Sequence, residues 1–181
     1  MIGKQRLSRL ALASLLTFTL SGCRRADEAA PITTVLLVRD AERAAVAGDD
    51  PSLNEAGRRR AEALADVAGD AGVQPIYYTQ FGRTRETAAP LAARTGVTPS
   101  VLPVDLNNPY SFAEAVVSDI MAQHRGQTVL IVSHSNVMPL VVERLGGQPL
   151  PAIGAEDYDD LFIIVRPSQG ETRTIKARYG E

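Results

Sequence analysis

The segment Thr128–Asn136 reads TVLIVSHSN. Six residues rich in Val, Ile and Leu stop abruptly at His-Ser-Asn, the pattern of a buried strand running into a polar turn. Thr33–Arg43, TTVLLVRDAER, repeats it with an apolar β-branched run that ends in charge. Gln74–Thr79 reads as another strand and Val101–Val104 as a short one. Between these runs the apolar residues fall at helical spacing. Ser52-x-x-Glu55 has the form of a capping box, opening a helix to about Gly69 with Ala61, Leu64, Ala65 and Ala68 on one face. Phe81–Arg94 is a helix stopped by Gly96, and Ser111–Gln123 is one with Phe112, Ala115, Val116 and Ile120 at helical spacing. Asn136–Leu145 is a helix ended by Gly146-Gly147, with Pro139 in its first turn, where a helix tolerates it. Leu161–Arg166 and Thr172–Arg178 flank the turn Pro167–Gly170 as an antiparallel hairpin. The alternation predicts an α/β fold: a mainly parallel central sheet, helices on both faces, and the hairpin at its C-terminal end. Ligands of such sheets bind beyond the carboxyl ends of the strands.

Three strand ends are charged. The first runs into Arg39-Asp40-Ala41-Glu42-Arg43, the second into Thr79-Gln80-Phe81-Gly82-Arg83, and the strand quoted first into His134. If these strands are neighbours, Arg39, Arg83 and His134 meet in one pocket over a helix N-terminus. Guanidinium forks, an imidazole and backbone N–H groups together suit phosphate. Ser135 and Asn136 start the following helix, and Asn136 could also point at the site. His124, near the end of the preceding helix, is expected to be solvent-exposed and favourable to the helix dipole.

Composition narrows the field. The chain has 181 residues, 45% apolar and 22% charged, which suits one folded domain. A single Cys excludes an internal disulfide and Cys-based zinc sites, and two His leave little material for a multi-histidine metal centre. A net charge of −2 leaves no footprint for nucleic acid. No GxxxxGK[ST] loop is present, and the acidic pairs and runs Asp49-Asp50 and Asp157–Asp160 lack the spacing of a Ca²⁺ loop. Neither a metal nor another cofactor is therefore expected.

From Thr33 to Tyr179 the sequence resembles the histidine phosphatase superfamily, the phosphoglycerate-mutase-like fold. VLLVR-D-AER is similar to the family's strand ending in Arg-His-Gly or Arg-His-Ala. SLNEAGRRRAEALA resembles its first long helix, TQFGRTRETA its Ser-x-x-x-Arg-Ala-x-x-Thr-Ala segment, and VLIVSHSN the segment with its second active-site His. The resemblance implies phosphomonoester hydrolysis through a phosphohistidine, with Arg39 and Arg83 as phosphate ligands, Arg43 as a further ligand, and His134 as the second His. It places the general acid near Asp105, with Glu42 as a rival. Asp157–Asp160 fits the family's short periplasmic-type members, or is a solvated lead-in to the next strand. The implied ligand is a phosphorylated small molecule or a phosphoprotein.

One position departs from the family. Its nucleophilic His, directly after the first Arg, is Asp40 here. A carboxylate can accept a phosphoryl group in other folds. Here its oxygen would sit on the order of 2 Å from where an imidazole nitrogen would, and a misplacement of about 1 Å already costs about 100-fold. A unit-charge repulsion from the incoming phosphate at about 4 Å amounts to roughly 4 kcal/mol at an effective dielectric near 20, before screening by the nearby cations. Asp40 could also pair with the arginines and occupy the phosphate site itself. Three readings follow: a phosphate-binding protein or pseudoenzyme with hydrolysis abolished or strongly reduced, a working phosphatase in which Asp40 is an introduced substitution, and a phosphatase with Asp40 as phosphoryl acceptor.

Residues 1–23 stand apart. Lys4, Arg6 and Arg9 precede the apolar run Leu10–Leu20, too short for an ordinary transmembrane span and typical of a secretory signal. The run ends Leu20-Ser21-Gly22-Cys23, which resembles the bacterial lipobox. That implies a signal peptide over 1–22, a lipidated Cys23 with tether over 23–32, and the domain over 33–181. Such a lipoprotein would be anchored in the bacterial cell envelope, on the periplasmic side of the outer membrane in a Gram-negative cell. Without residues 1–22 the chain has 16 basic against 21 acidic residues, so its lipid rather than its charge would hold it to an anionic membrane.

Overall fold

The computed structural model describes residues 30–180. The signal segment and Cys23 lie outside the described residues. Six strands form one sheet: β1 (Ile32–Arg39), β2 (Val73–Tyr78), β3 (Ser100–Val101), β4 (Thr128–Ser133), β5 (Asp160–Pro167) and β6 (Arg173–Arg178). Their order is β3-β2-β4-β1-β5-β6. The first four run parallel, while β5 lies antiparallel to both β1 and β6. The expected hairpin is present, and it also closes the open side of β1.

Alternation along the central strands explains why helices cover both faces. Val35 and Leu37 of β1 and Val129 and Ile131 of β4 point to one face, where α3 (Pro109–Gln123) and α4 (Met138–Arg144) add Phe112, Val116, Ile120 and Val141. Leu36, Val38, Leu130 and Val132 point to the other, where α1 (Glu55–Ala68) and α2 (Gly82–Thr95) add Leu64, Ala65, Ala88 and Leu91. Strands buried on both sides have no position left for a polar side chain, so their sequences are continuous apolar runs. Each large side chain so buried contributes about 1.5–3 kcal/mol.

Local chemistry moves several boundaries. The N-cap of α1 is Asn54, not Ser52: its Oδ1 accepts the Gly57 N–H at 2.8 Å, and Ser52 instead gives its carbonyl to Ala44 N–H at 2.9 Å. The expected capping box is therefore replaced by an Asn cap two residues later. Ala115 is exposed, and Ala113 and Val117 take its place on the buried face of α3. The strand expected over Val101–Val104 is only Ser100–Val101, because the Val104 backbone turns to the side chain of Gln80: Oε1 accepts its N–H and Nε2 donates to its carbonyl. His124 is half-buried as the C-cap of α3, its ring edge-on to Tyr77 and its Nδ1 at 2.8 Å from Gln127 Oε1, rather than free in solvent. Gly96 ends α2 as expected, at φ 71°, a left-handed conformation that favours glycine.

Ile131→Ala, in the middle of the sheet, should lower the unfolding free energy by about 2–5 kcal/mol in denaturant titrations. Val67→Ala, on the exposed side of α1, should stay within about 0.5 kcal/mol. Equal losses at the two positions would contradict this placement of the core.

Candidate functional site

Since β4 lies between β2 and β1, its C-terminal end brings three strand ends together. Arg39 is in register with Ser133, and Asp40 continues the ladder by donating its N–H to the Ser133 carbonyl at 2.9 Å. His134 follows directly. Arg83 arrives from the first turn of α2, the helix that leaves β2. The result is a pocket of about 210 Å³ lined by Arg39, Asp40, Arg43, Arg83, Leu106, His134, Ser135 and Asn136.

Its floor is a buried charge cluster. Arg83 Nε donates to Asp40 Oδ2 at 2.8 Å, while Asp40 Oδ1 lies 3.5 Å from His134 Nδ1 and 4.0 Å from Arg39 Nε. Arg39, Asp40, Arg83 and His134 are all buried. Burial pushes the Asp40 carboxyl pKa up, but its hydrogen bond to His134 and the charges of His134, Arg83 and Arg39 outweigh that. The net result lies below the ordinary carboxylate range. Asp40 is thus an anion at neutral pH with both oxygens turned toward cations.

Each cation is held from behind. Arg39 Nη1 donates to the Gly154 and Ala155 carbonyls at 3.1 and 2.9 Å, and its guanidinium lies 4.0 Å over the Tyr158 ring. Its Nε, buried, has no hydrogen-bond partner among the described residues. Arg83 Nη1 reaches Asp50 Oδ1 at 3.2 Å and the Asp49 carbonyl at 3.3 Å, with the guanidinium over Phe81. Arg43 lines the rim, exposed, with no ion-pair partner among the described residues.

Hydrogen-bond accounting orients His134. Thr84 Oγ1 donates to the Phe81 or Thr79 carbonyl, so it can accept from Thr79 Oγ1 at 3.0 Å. Thr79 Oγ1 lies 3.0 Å from His134 Nε2 and can donate to it or accept from it. Nδ1 faces Asp40 Oδ1 at 3.5 Å, so an imidazole with its proton on Nδ1 donates toward the carboxylate and accepts from Thr79, while the imidazolium donates to both.

The two candidate acids are placed differently. Glu42 is not in the pocket: Arg60 grips it through Nε and Nη2 at 2.6–2.9 Å and ties it to the Tyr179 carbonyl. Burial raises the Glu42 pKa, but the Arg60 hydrogen bonds, a backbone hydrogen bond and the charges of Arg60 and Arg39 together outweigh it, so Glu42 keeps no proton to donate at neutral pH. Asp105 is exposed and does not line the pocket. Its Oδ1 accepts the Asn107 N–H at 2.9 Å, and its neighbour Leu106 faces the site instead. The backbone donors expected at the helix start are also committed: Val137 and Met138 N–H turn back to the His134 carbonyl, and Gly82 N–H donates to Asp50 Oδ2 at 2.7 Å. Helix α4 starts at Met138, two residues later than expected, for the same reason. The run Asp157–Asp160 is no solvated lead-in. Asp157 Oδ2 caps Gly154 N–H, Asp159 pairs with Arg178, and Asp160 is buried and paired with Lys176 at 2.8 Å.

Five contributors carried no assigned role in the sequence. Thr79 and Thr84 fix the imidazole, and Thr87, whose Oγ1 accepts the Ala41 N–H at 3.0 Å, fixes the backbone after Asp40. Asp50 shares Arg83. The threonines lie inside the TQFGRTRETA segment, so its spacing held the signal. Asp50 and Tyr158 are on loops whose path no local pattern predicts. Among the described residues no group of three or more His, Cys, Asp or Glu is placed to hold a metal ion.

The family model of the histidine phosphatase superfamily (branch 1) matches residues 35–107 and 111–176. No curated protein matches the sequence. Among solved structures, one described as mycobacterial hydrolase 2 is similar at a TM-score of 0.65 and 16% identity, over 83% of this chain and 93% of that one. The mycobacterial glucosyl-3-phosphoglycerate phosphatase in complex with inorganic phosphate is similar at 0.60 and 17%, over 82% and 97%. A protein assigned as the phosphohistidine phosphatase SixA of Agrobacterium tumefaciens is similar at 0.54 and 26%, over 76% and 96%.

The buried Asp40 predicts a pH dependence whose sign is fixed. A carboxyl with a folded pKa below its unfolded one stabilises the fold above the unfolded value. That contribution is lost as pH falls through the lowered folded value. Urea unfolding of the protein and of Asp40→Asn should show a difference that is constant from pH 7 to about 4.5 and shifts in favour of the variant as pH falls from about 4 toward 2.5. A pH-independent difference would contradict the lowered pKa of Asp40.

Proposed function

The chain belongs to the histidine phosphatase superfamily, and from that premise we propose that it binds phosphate monoesters while Asp40 abolishes or strongly reduces their hydrolysis. The observation that carries this reading is the engagement of the Asp40 carboxylate. The residue standing where the family has its nucleophilic His has one oxygen bonded to Arg83 and the other directed at His134 and Arg39. A carboxylate with a lowered pKa is a poor nucleophile, since its lone pairs are already shared with cations. It also competes for the groups that would hold a phosphate.

Binding survives this competition for two reasons. Among the described residues the ion pairs of Arg39 and Arg83 are with Asp40 and Asp50, with Glu42 a more distant counter-charge to Arg39, so the pocket, with Arg43 on its rim, holds more guanidinium groups than carboxylates, an excess that a protonated His134 would increase. The buried Arg39 Nε–H has no hydrogen-bond partner among the described residues, with Asp40 Oδ1 4.0 Å away, and suits an anionic oxygen. The pocket volume of about 210 Å³ accommodates a phosphoryl group. The similar mycobacterial phosphatase is described in complex with inorganic phosphate, which is in keeping with a phosphate ligand for this fold.

We further read the chain as a lipoprotein held by Cys23. β1 begins at Ile32, so the tether would enter at the end of the sheet opposite the pocket. The mouth would then face away from the membrane.

The protein should hydrolyse an activated aryl phosphate barely above background, and Asp40→His should raise the rate by about a hundredfold or more. Strong activity in the Asp40 protein that is lost in Asp40→Ala would instead make Asp40 a phosphoryl acceptor. No gain in Asp40→His would mean that the rest of the pocket is not competent.

A further inference from the structure

The pocket has one apolar wall, Leu106. It stands 47% exposed on the loop between β3 and α3, and Tyr110, four residues on, is 67% exposed. Large apolar side chains left this open beside a polar pocket are places where a ligand can displace water from both surfaces. They are also not isolated. A trough of about 580 Å³ between α3 and α4 is lined by Tyr110, Ala113, Glu114, Leu140, Glu143 and Arg144. Two chain segments pass from the pocket into it: Leu106 belongs to the pocket and Tyr110 to the trough, Asn136 to the pocket and Leu140 to the trough. The trough therefore neighbours the pocket, four residues further along each of two chain segments.

Its charge selects further. Arg144 is paired with Glu114, while Glu143 has no ion-pair partner among the described residues, and Asp105 stands exposed next to Leu106. The arginines are gathered at the phosphate end and the trough is acidic. A ligand with a second anionic group would meet repulsion there, whereas a neutral apolar body would not.

Resting on the phosphate-binding reading above, we propose that the ligand is a small monophosphate ester with an uncharged, apolar substituent that lies over Leu106 and into the trough at Tyr110 and Leu140. The phosphoryl group sits at Arg39 and Arg83. Discrimination comes from the length and apolarity of the substituent.

Calorimetric titration of the full chain with inorganic phosphate and with ethyl, butyl and hexyl phosphate tests this. Affinity should rise about twofold to threefold per added methylene, somewhat less than full burial of each group would give. In Leu106→Ser/Tyr110→Ala, two exposed positions where folding is not at stake, the rise should fall to nearly flat. Inorganic phosphate that binds while affinity is independent of chain length would overturn the apolar subsite and leave the phosphate site standing. A slope that persists unchanged in the double variant would overturn it too. No binding of inorganic phosphate or of any ester would overturn both readings together.

Discussion

The contact on which the rest of the site depends is the hydrogen bond from Arg83 Nε to Asp40 Oδ2, 2.8 Å long and almost wholly out of water. A buried carboxylate is costly unless cations and donors surround it. Here the surroundings come from three strand ends, since Arg39, Asp40 and His134 follow β1 and β4 and Arg83 opens α2. The order of the sheet, with β4 between β2 and β1, is what lets one carboxylate face two guanidinium groups and an imidazole. In the proposed reading, the same arrangement that makes Asp40 tolerable also makes it unreactive.

Few of the supporting residues touch the pocket. Thr87 holds the backbone after Asp40, the Thr79–Thr84 pair sets which imidazole nitrogen looks inward, and the Gly154–Tyr158 turn clamps Arg39 between two carbonyls and a ring. Glu42 and Arg60 join the end of β1 to α1 and to the C-terminal backbone at Tyr179. These contacts cost a competing conformation several hydrogen bonds at once, which is how a cluster of like-charged arginines stays in one geometry. Asp50 acts differently. It takes both the Gly82 N–H and part of Arg83, so the loop before α1 holds down the first N–H of α2.

How much of this was legible in the sequence depended on periodicity. The VLIV and VLLV stretches of β4 and β1 are apolar at every step because both faces are covered, so the central sheet could be read from them, while the convergence of Arg39, Arg83 and His134 depended on those strands being neighbours. Boundaries set by single side chains could not. Ser52 and Asn54 are both competent caps, and the choice falls to Asn54 because Leu53 is pinned by a β-bridge to Arg43 and by Glu86 on its N–H. Asp105 and Glu42 failed as pocket acids for a related reason: carboxylates near a site in sequence go to whichever donor the tertiary fold brings closest, Asn107 N–H in one case and Arg60 in the other. The lipid anchor rests on residues 1–23 alone, which lie outside the described residues.

If Asp40 is the competitor that the geometry implies, removing its charge without its shape must open the cationic floor to anions. The direct measurement is the dissociation constant of inorganic phosphate at pH 7 for the protein, for Asp40→Asn, and for Asp40→Asn/Arg83→Ala. Loss of one close like charge at the site is expected to tighten binding by tenfold or more in Asp40→Asn, on the order of 1.4 kcal/mol, and removal of Arg83 as well should abolish that gain. Unchanged or weaker phosphate binding in Asp40→Asn would contradict the claim that Asp40 holds the site against its ligand.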